Sequence, residues 1–251
     1  MAMDEPAVQD WLPRMQPHPE IVTLSSPDHR LPVAEARNLG ARRAIELSAE
    51  LLVFLDVDCV AAPELIAAYA AAAQTYPDSL LGGAVGYLPE TVSAFDHRRS
   101  DVAHFHEFRP RLGAGEAQPA DPALFWSLSF ALTVDTWAAV GGFHEEYRGY
   151  GAEDTDFAQA ALRAHVPFRW VGGAEAFHQY HETQSPPVQH LDDILANGRV
   201  FARRWGFWPM SGWLSAFEDL RLVARDPLSG DWIRASPSAG GVISEQEEQK
   251  I

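Results

Sequence analysis

The sequence predicts an α/β fold, a mostly parallel central sheet with helices on its faces, and three observations predict it. Continuous apolar runs suited to buried strands alternate with segments of helical period. The clearest run, "ELLVFLDVD", ends in carboxylates, where open α/β sheets bind ligands. The composition, 47% hydrophobic and 22% charged over 251 residues, is that of a soluble globular chain long enough for one sizeable core.

Taken in order, "EIVTL" (Glu20 to Leu24) is a short apolar run closed by a Ser-Pro-Asp turn signal, and predicts a strand. In "PVAEARNLGARRAIELSA", Val33, Ala36, Leu39, Ala44 and Leu47 fall at helical spacing. "ELLVFLDVD" predicts a buried strand. "APELIAAYAAAAQTYP" is alanine-rich between Pro63 and Pro77 and predicts a helix. "LLGGAVGYL" predicts the next strand. From His97 to Pro122 no periodicity survives, and Gly, Pro and Ala predict a long surface loop. "ALFWSLSFALTVDTWAAVGGF" resumes with a strand, a short helix around Asp135 to Val140 and a Gly-Gly turn. "EDTDFAQAALRAH" carries acids in its first turn and Arg163 and His165 at its end, as a helix prefers. "PFRWVGGAEAFHQYH" predicts a strand or strand pair, and "PPVQHLDDILANGRVFARRWG" a helix after its prolines. These elements make one domain over 1–234: a donor half at about 20–96, a mobile loop at about 97–122 and an acceptor half at about 123–234. The polar remainder, 235–251, is expected to be a disordered tail.

The net charge of −16 excludes a nucleic-acid partner, because phosphate backbones reward clustered Lys and Arg. The only lysine is Lys250 and the only cysteine Cys59, so no intrachain disulfide forms. No apolar stretch reaches the length of a transmembrane helix. The first twenty residues lack the basic and apolar regions of a signal peptide, and a cytoplasmic location, with membrane-peripheral association as its variant, is expected.

Two acidic centres carry the candidate chemistry. Asp56 and Asp58, two apart at a strand end, can share a hard divalent cation, or can be a solvated turn. "VFLDVDCV" also fits the haloacid-dehalogenase-type phosphatase pattern, with Asp56 as nucleophile and Asp58 as acid/base. That chemistry needs a lysine, and Lys250 in the tail serves it badly. The second centre is "GGFHEEYRGYGAEDTDF" (Gly141 to Phe157), where glycines and carboxylates interleave with aromatics.

"VGGFHEEYRGYGAEDTDFAQAAL" resembles the acceptor-side motif of family-2 glycosyltransferases and the related C-terminal region of β-1,4-galactosyltransferases, through Gly141, Gly142, Phe143, Glu145, Gly149, Gly151, Glu153, Asp154, Asp156 and Phe157. Upstream, "AEARNLGARRA" and "LLVFLDVDCVAAPELI" are similar to the same family's Arg-Asn helix and metal-binding strand end. The resemblance implies a GT-A fold, a nucleotide-sugar donor (a UDP-sugar first), Mn²⁺ or Mg²⁺, a carbohydrate or other hydroxyl-bearing acceptor, and inversion at the anomeric carbon. It implies Asp154 as the general base and Glu153 as the residue that orients the acceptor. Asp56 and Asp58 with a histidine would hold metal and diphosphate, His178 being favoured over His181. Arg37 and Asn38 would contact the donor, although capping or packing serves them equally. Trp126 would offer a sugar platform or pack in the core, and Gly151 would let a sugar ring approach the backbone. Asp156 reads as a first-turn helix residue. Trp205, Trp208 and Trp213 would form a satellite apolar cluster or cover the acceptor. The family's first strand has no counterpart here, so that unit is expected to be missing or reduced. A catalytically silent nucleotide-sugar- or carbohydrate-binding member is the non-enzyme alternative.

Overall fold

The computed structural model describes residues 2–3, 19–26, 30–93, 95–96 and 98–235. The predicted tail lies, beyond Ala235, outside the described residues, and so does most of the segment before Pro19. Strands β1 (Ala2–Met3) and β2 (Thr23–Leu24) pair in parallel as a separate two-stranded sheet. Helix α1 (Val33–Glu46) then leads into β3 (Leu51–Leu55), β4 (Cys59–Ala61), helix α2 (Leu65–Thr75) and β5 (Leu80–Tyr87). A short helix α3 (Arg99–Val102), β6 (His104–Phe105) and β7 (Ala117–Pro119) precede β8 (Ser129–Thr133) and helix α4 (Val134–Val140). Helix α5 (Glu153–Arg163), β9 (Phe168–His178), helices α6 (Leu191–Trp205) and α7 (Ser211–Asp219), and the hairpin β10 (Val223–Arg225) and β11 (Trp232–Arg234) complete the chain.

The α/β layering is the predicted one, but the main sheet is mixed. Its order is β3-β8-β5-β9-β4, with β6 on β5 and β7 on β9. β3, β5 and β9 share a direction, while β8 runs against both β3 and β5, and β4 against β9. The β3–α2–β5 crossover leaves a gap one strand wide, and β8 fills it from the opposite end. Alternating helices and strands in a sequence reveal the crossover, not the strand inserted later.

Period-2 alternation sorts the core onto two faces. Leu80, Phe130 and Leu132 pack with Trp137 and Phe157 on one side, and Leu81 and Ala131 with Leu65 and Tyr69 on the other. On the first face Phe54 stacks on Phe130 at 4.4 Å and Phe143 on Phe157 at 4.3 Å, each pair contributing about 0.5–1.5 kcal/mol beyond area burial. These rings fix the ends of β3 and α5, which carry the two acidic centres. On the second face the fully buried Tyr69 phenol accepts from Gly83 N at 2.7 Å and shares a 2.9 Å hydrogen bond with Ser129 Oγ. A side chain at Gly83 would meet the Ala174 carbonyl at 2.0 Å, so only glycine admits the close approach of β9 there.

Two further differences from the sequence reading are local. The predicted loop from His97 to Pro122 holds the short helix α3 and two strands, β6 paired with β5 and β7 paired with β9, all too short to show a period. After α6 ends at Gly206, in the left-handed region at φ 83°, α7 and the β10–β11 hairpin form a third apolar cluster around Ile194, Leu214, Phe217 and Trp232. No helix among the described residues is long and apolar enough to cross a membrane.

Candidate active site

The first acidic centre is the turn between β3 and β4. Asp56 N donates to Leu128 O at 3.0 Å as β3 ends, and Val57 at the turn's tip is fully exposed. β4 then pairs with the end of β9, with Cys59 opposite His178, and Gln179 N donates to Asp58 O at 2.8 Å. That register brings Asp58 Oδ2 within 3.2 Å of His178 Nε2 and 3.6 Å of His181 Nε2. Asp58, His178 and His181 each offer one ligand atom, and these atoms lie within 4.8 Å of one another. The hydrogen bond from His178 holds Asp58 below its ordinary pKa, and the same bond holds the His178 imidazole above its own. One carboxylate and two imidazoles make an oxygen–nitrogen donor set that suits a divalent cation, and the two nitrogens favour Mn²⁺ over Mg²⁺.

Asp56 stands apart from that set. Its Oδ1 accepts from Arg37 Nη2 at 2.8 Å, while Arg37 Nη1 donates to Glu153 Oε1 at 3.1 Å. The predicted grouping of Asp56, Asp58 and His178 therefore divides: Asp58 joins both histidines, and Asp56 joins Arg37. The Arg37 guanidinium also lies over the Phe143 ring, 5.1 Å from its centroid.

The second centre opens α5. Gly151 at φ 90° and Ala152 at φ 75° turn the chain sharply into Glu153 and Asp154. Asp154 Oδ1 accepts from Thr155 N at 2.6 Å and from Thr155 Oγ1 at 3.2 Å. Burial, and then the neighbouring Glu153 charge, push Asp154 up to about 7, the range of a general base working near neutrality. Asp156, two residues on, is buried at 1% exposure and accepts from Tyr147 Oη, Arg204 Nε and Trp205 Nε1 at 3.0, 2.7 and 2.6 Å. It is a first-turn residue of α5, as expected, and its burial among these three donors is set by the packing of α6 and the acidic stretch.

Asp56, Asp58, Arg37, Trp126, Gly151, Glu153 and Asp154 all line one cleft of about 1980 Å³. Asn38 does not line it. Its amide donates to Phe143 O and accepts from Phe143 N, both at 2.8 Å, which commits it to packing α1 on the Gly-Gly turn. Trp126 is held from behind by Arg109, whose guanidinium sits 3.9 Å from the ring centroid, and from its edge by His106. Across the cleft, Tyr150 stacks on His190 at 4.2 Å and beside Trp213 at 5.7 Å, and Phe207 adds a half-exposed ring. Trp213 and Trp208 thus join the cleft wall, whereas Trp205 turns to Asp156. Tyr150, Arg109 and His190 carried no pattern in the sequence. The loop aromatics of the acidic stretch were the one signal that could have found Tyr150.

Comparison with known proteins bears on the family of the chain. The family model described as "Glycosyltransferase like family 2" matches residues 15–171. Two curated proteins, the Validoxylamine A glucosyltransferases of Streptomyces hygroscopicus subsp. jinggangensis (strain 5008) and subsp. limoneus, are each 34% identical over 197 residues. The matches cover 68% of this chain and 44% and 41% of those relatives, so the chain spans less than half the length of either. Among solved structures, the crystal structure of GalNAc-T7 with UDP, GalNAc and Mn²⁺ aligns with a TM-score of 0.47 at 16% identity, over 63% of this chain and 32% of that one.

Proposed function

The chain belongs to the glycosyltransferase-like family 2, and from that premise we propose that it moves a hexose from a nucleotide-sugar to an acceptor hydroxyl with inversion at the anomeric carbon. The observation that carries this reading is that Asp154, a carboxylate held near neutrality in its pKa, lines the same cleft as Asp58. In the reaction the acceptor oxygen attacks the anomeric carbon as Asp154 takes its proton. The bond from that carbon to the diphosphate oxygen breaks, and its electron pair leaves with the nucleotide. General base catalysis by such a group is worth on the order of 10²- to 10⁴-fold.

Asp58, His178 and His181 would hold Mn²⁺, which when bound supplies positive charge to the departing diphosphate. Arg37, 10% exposed and already between Asp56 and Glu153, adds a fixed cation between the two halves of the cleft. Glu153 orients the acceptor side through that contact. Trp126 and Gly151 give the bound sugars a flat face and a close backbone. The acceptor lies between Asp154 and the wall of Tyr150, Trp213 and Phe207, whose ring faces suit the C–H face of a saccharide. UDP is the nucleotide to test first, and the names of the curated relatives make glucose the first sugar, ahead of galactose.

Calorimetry with UDP, with and without Mn²⁺, tests the reading. Binding that depends on the metal is expected, together with release of UDP from UDP-glucose. Absence of binding under both conditions would overturn it.

A further inference from the structure

We propose that Asn197 and Asp193, on the inward face of α6, are positioning residues that set the catalytic base by clamping the turn from Arg148 to Gly151. The proposal rests on the transferase reading above. Asn197 is 2% exposed, and its carboxamide is fully occupied by that one turn. Its Oδ1 accepts from Arg148 N at 3.3 Å, and its Nδ2 donates to the carbonyls of Arg148, Tyr150 and Gly151 at 3.0, 3.2 and 2.9 Å. One helical turn earlier, Asp193 Oδ2 accepts from Tyr150 N at 3.2 Å, and its Oδ1 accepts from Arg30 Nε at 3.1 Å. From the other side, Gly149 N donates to Leu31 O at 3.0 Å.

The turn needs such a clamp because its backbone is costly. Gly149 at φ 71°, Gly151 at φ 90° and Ala152 at φ 75° place three residues of four in the left-handed region. For alanine that conformation is strained and persists only where the surroundings over-determine it. At Gly149 a Cβ would meet Asp193 Oδ2 at 2.0 Å, so the turn sits hard against that carboxylate. The very next residues are Glu153 and Asp154. The direction of Asp154 is thus set by α6, some forty residues downstream, rather than by α5 alone. A displacement of about 1 Å at a reacting group costs on the order of 10²-fold in rate.

The test uses UDP-glucose with water as the acceptor, which needs the same base and no knowledge of the natural acceptor. Asn197→Asp keeps the acceptor toward Arg148 N and removes every donor; Asp193→Asn keeps the acceptor toward Tyr150 N and removes the charge facing Arg30. For Asn197→Asp, kcat for UDP release is expected to fall 10- to 100-fold while the KM for UDP-glucose and Mn²⁺-dependent UDP binding stay within twofold. For Asp193→Asn a smaller fall, of several-fold, is expected with the same split. A residue that only stabilised the fold would lower the melting temperature and leave kcat of the folded enzyme intact. Retention of kcat in Asn197→Asp, or in Asp193→Asn should the first variant not fold, overturns the proposal. If the wild-type protein neither binds UDP with Mn²⁺ nor releases it, the transferase reading fails instead.

Discussion

Arg37 and Glu153, 116 residues apart in the chain, are joined by a hydrogen bond of 3.1 Å from Nη1 to Oε1. The same guanidinium donates to Asp56 at 2.8 Å, so one cation ties the end of β3 to the start of α5. The two acidic centres that stand far apart in the sequence are thereby held as one site. Asp154 is the next residue after Glu153, and the Arg37 charge is among the influences that restrain its rise in pKa.

Asp154→Asn is expected to lower transfer by about 10²- to 10⁴-fold and to spare Mn²⁺-dependent UDP binding. Stopped or coupled assays of UDP release, set beside calorimetry on the same preparation, check both halves of this expectation. Loss of UDP binding together with turnover would place Asp154 in donor binding instead.

The pH dependence has a definite sign. Burial and Glu153 favour protonated Asp154, and the base is the ionised form, so kcat rises with pH along a limb centred near 7. The same group contributes stability that is present at acid pH and lost as pH rises through about 7, because the fold prefers its neutral form. A kcat–pH profile flat from pH 5.5 to about 8.5 would contradict the assignment.

Arg37→Met removes the shared cation and leaves two carboxylates facing each other. Stability is expected to fall by about 2 kcal/mol, below the roughly 3–5 kcal/mol of a fully buried broken pair, because Asp56 remains 30% exposed. Thermal unfolding should register that as a drop of roughly 4–8 °C. Since Arg37 restrains Asp154, the limb of the kcat–pH profile should move to higher pH. A limb that stays in place would show that Arg37 is structural only.

His178→Ala and His181→Ala are each expected to weaken Mn²⁺-dependent UDP binding, His178 more, because it is 12% exposed and His181 51%. The cation must displace the proton that Asp58 stabilises on His178, so metal affinity should decline as pH falls through a value above the usual imidazole range. Titration of Mn²⁺ at several pH values measures this, and an effect in His178→Ala alone would remove His181 from the ligand set.

Asp156→Ala leaves the Tyr147 hydroxyl and the Trp205 indole N–H without their buried acceptor, and is expected to cost about 3 kcal/mol. Thermal unfolding should fall by roughly 6–12 °C. The same variant with an unchanged melting temperature would remove Asp156 from the core.

Much of this molecule is legible without coordinates. The apolar run Leu51–Leu55 predicts a strand with Asp56 and Asp58 at its end, and β3 bears this out. The burial expected of the whole run does not hold, because β3 stands at the sheet edge, where Leu52 alone is buried and Leu55 is exposed. Gly151 followed by Glu153 and Asp154 must turn sharply into a helix, because only such a turn reconciles its glycine with the acidic first turn. Asn38 shows the limit: its neighbour Arg37 lines the cleft while Asn38 points to Phe143, a matter of one hundred degrees around α1.

What the sequence determined by itself is chemistry tied to local pattern: alternating strands and helices, carboxylates at their ends, and the glycines that let α5 begin. What only the tertiary structure decided is partnership. The placement of β8 between β3 and β5, the pairing of Asp56 with Arg37 rather than with Asp58, the entry of His181 beside His178, and the hold of Asn197 on the turn before Asp154 all depend on register and packing between distant segments. Local pattern follows from the periods of strand and helix, whereas partnership follows from which faces the folded chain brings within hydrogen-bond reach.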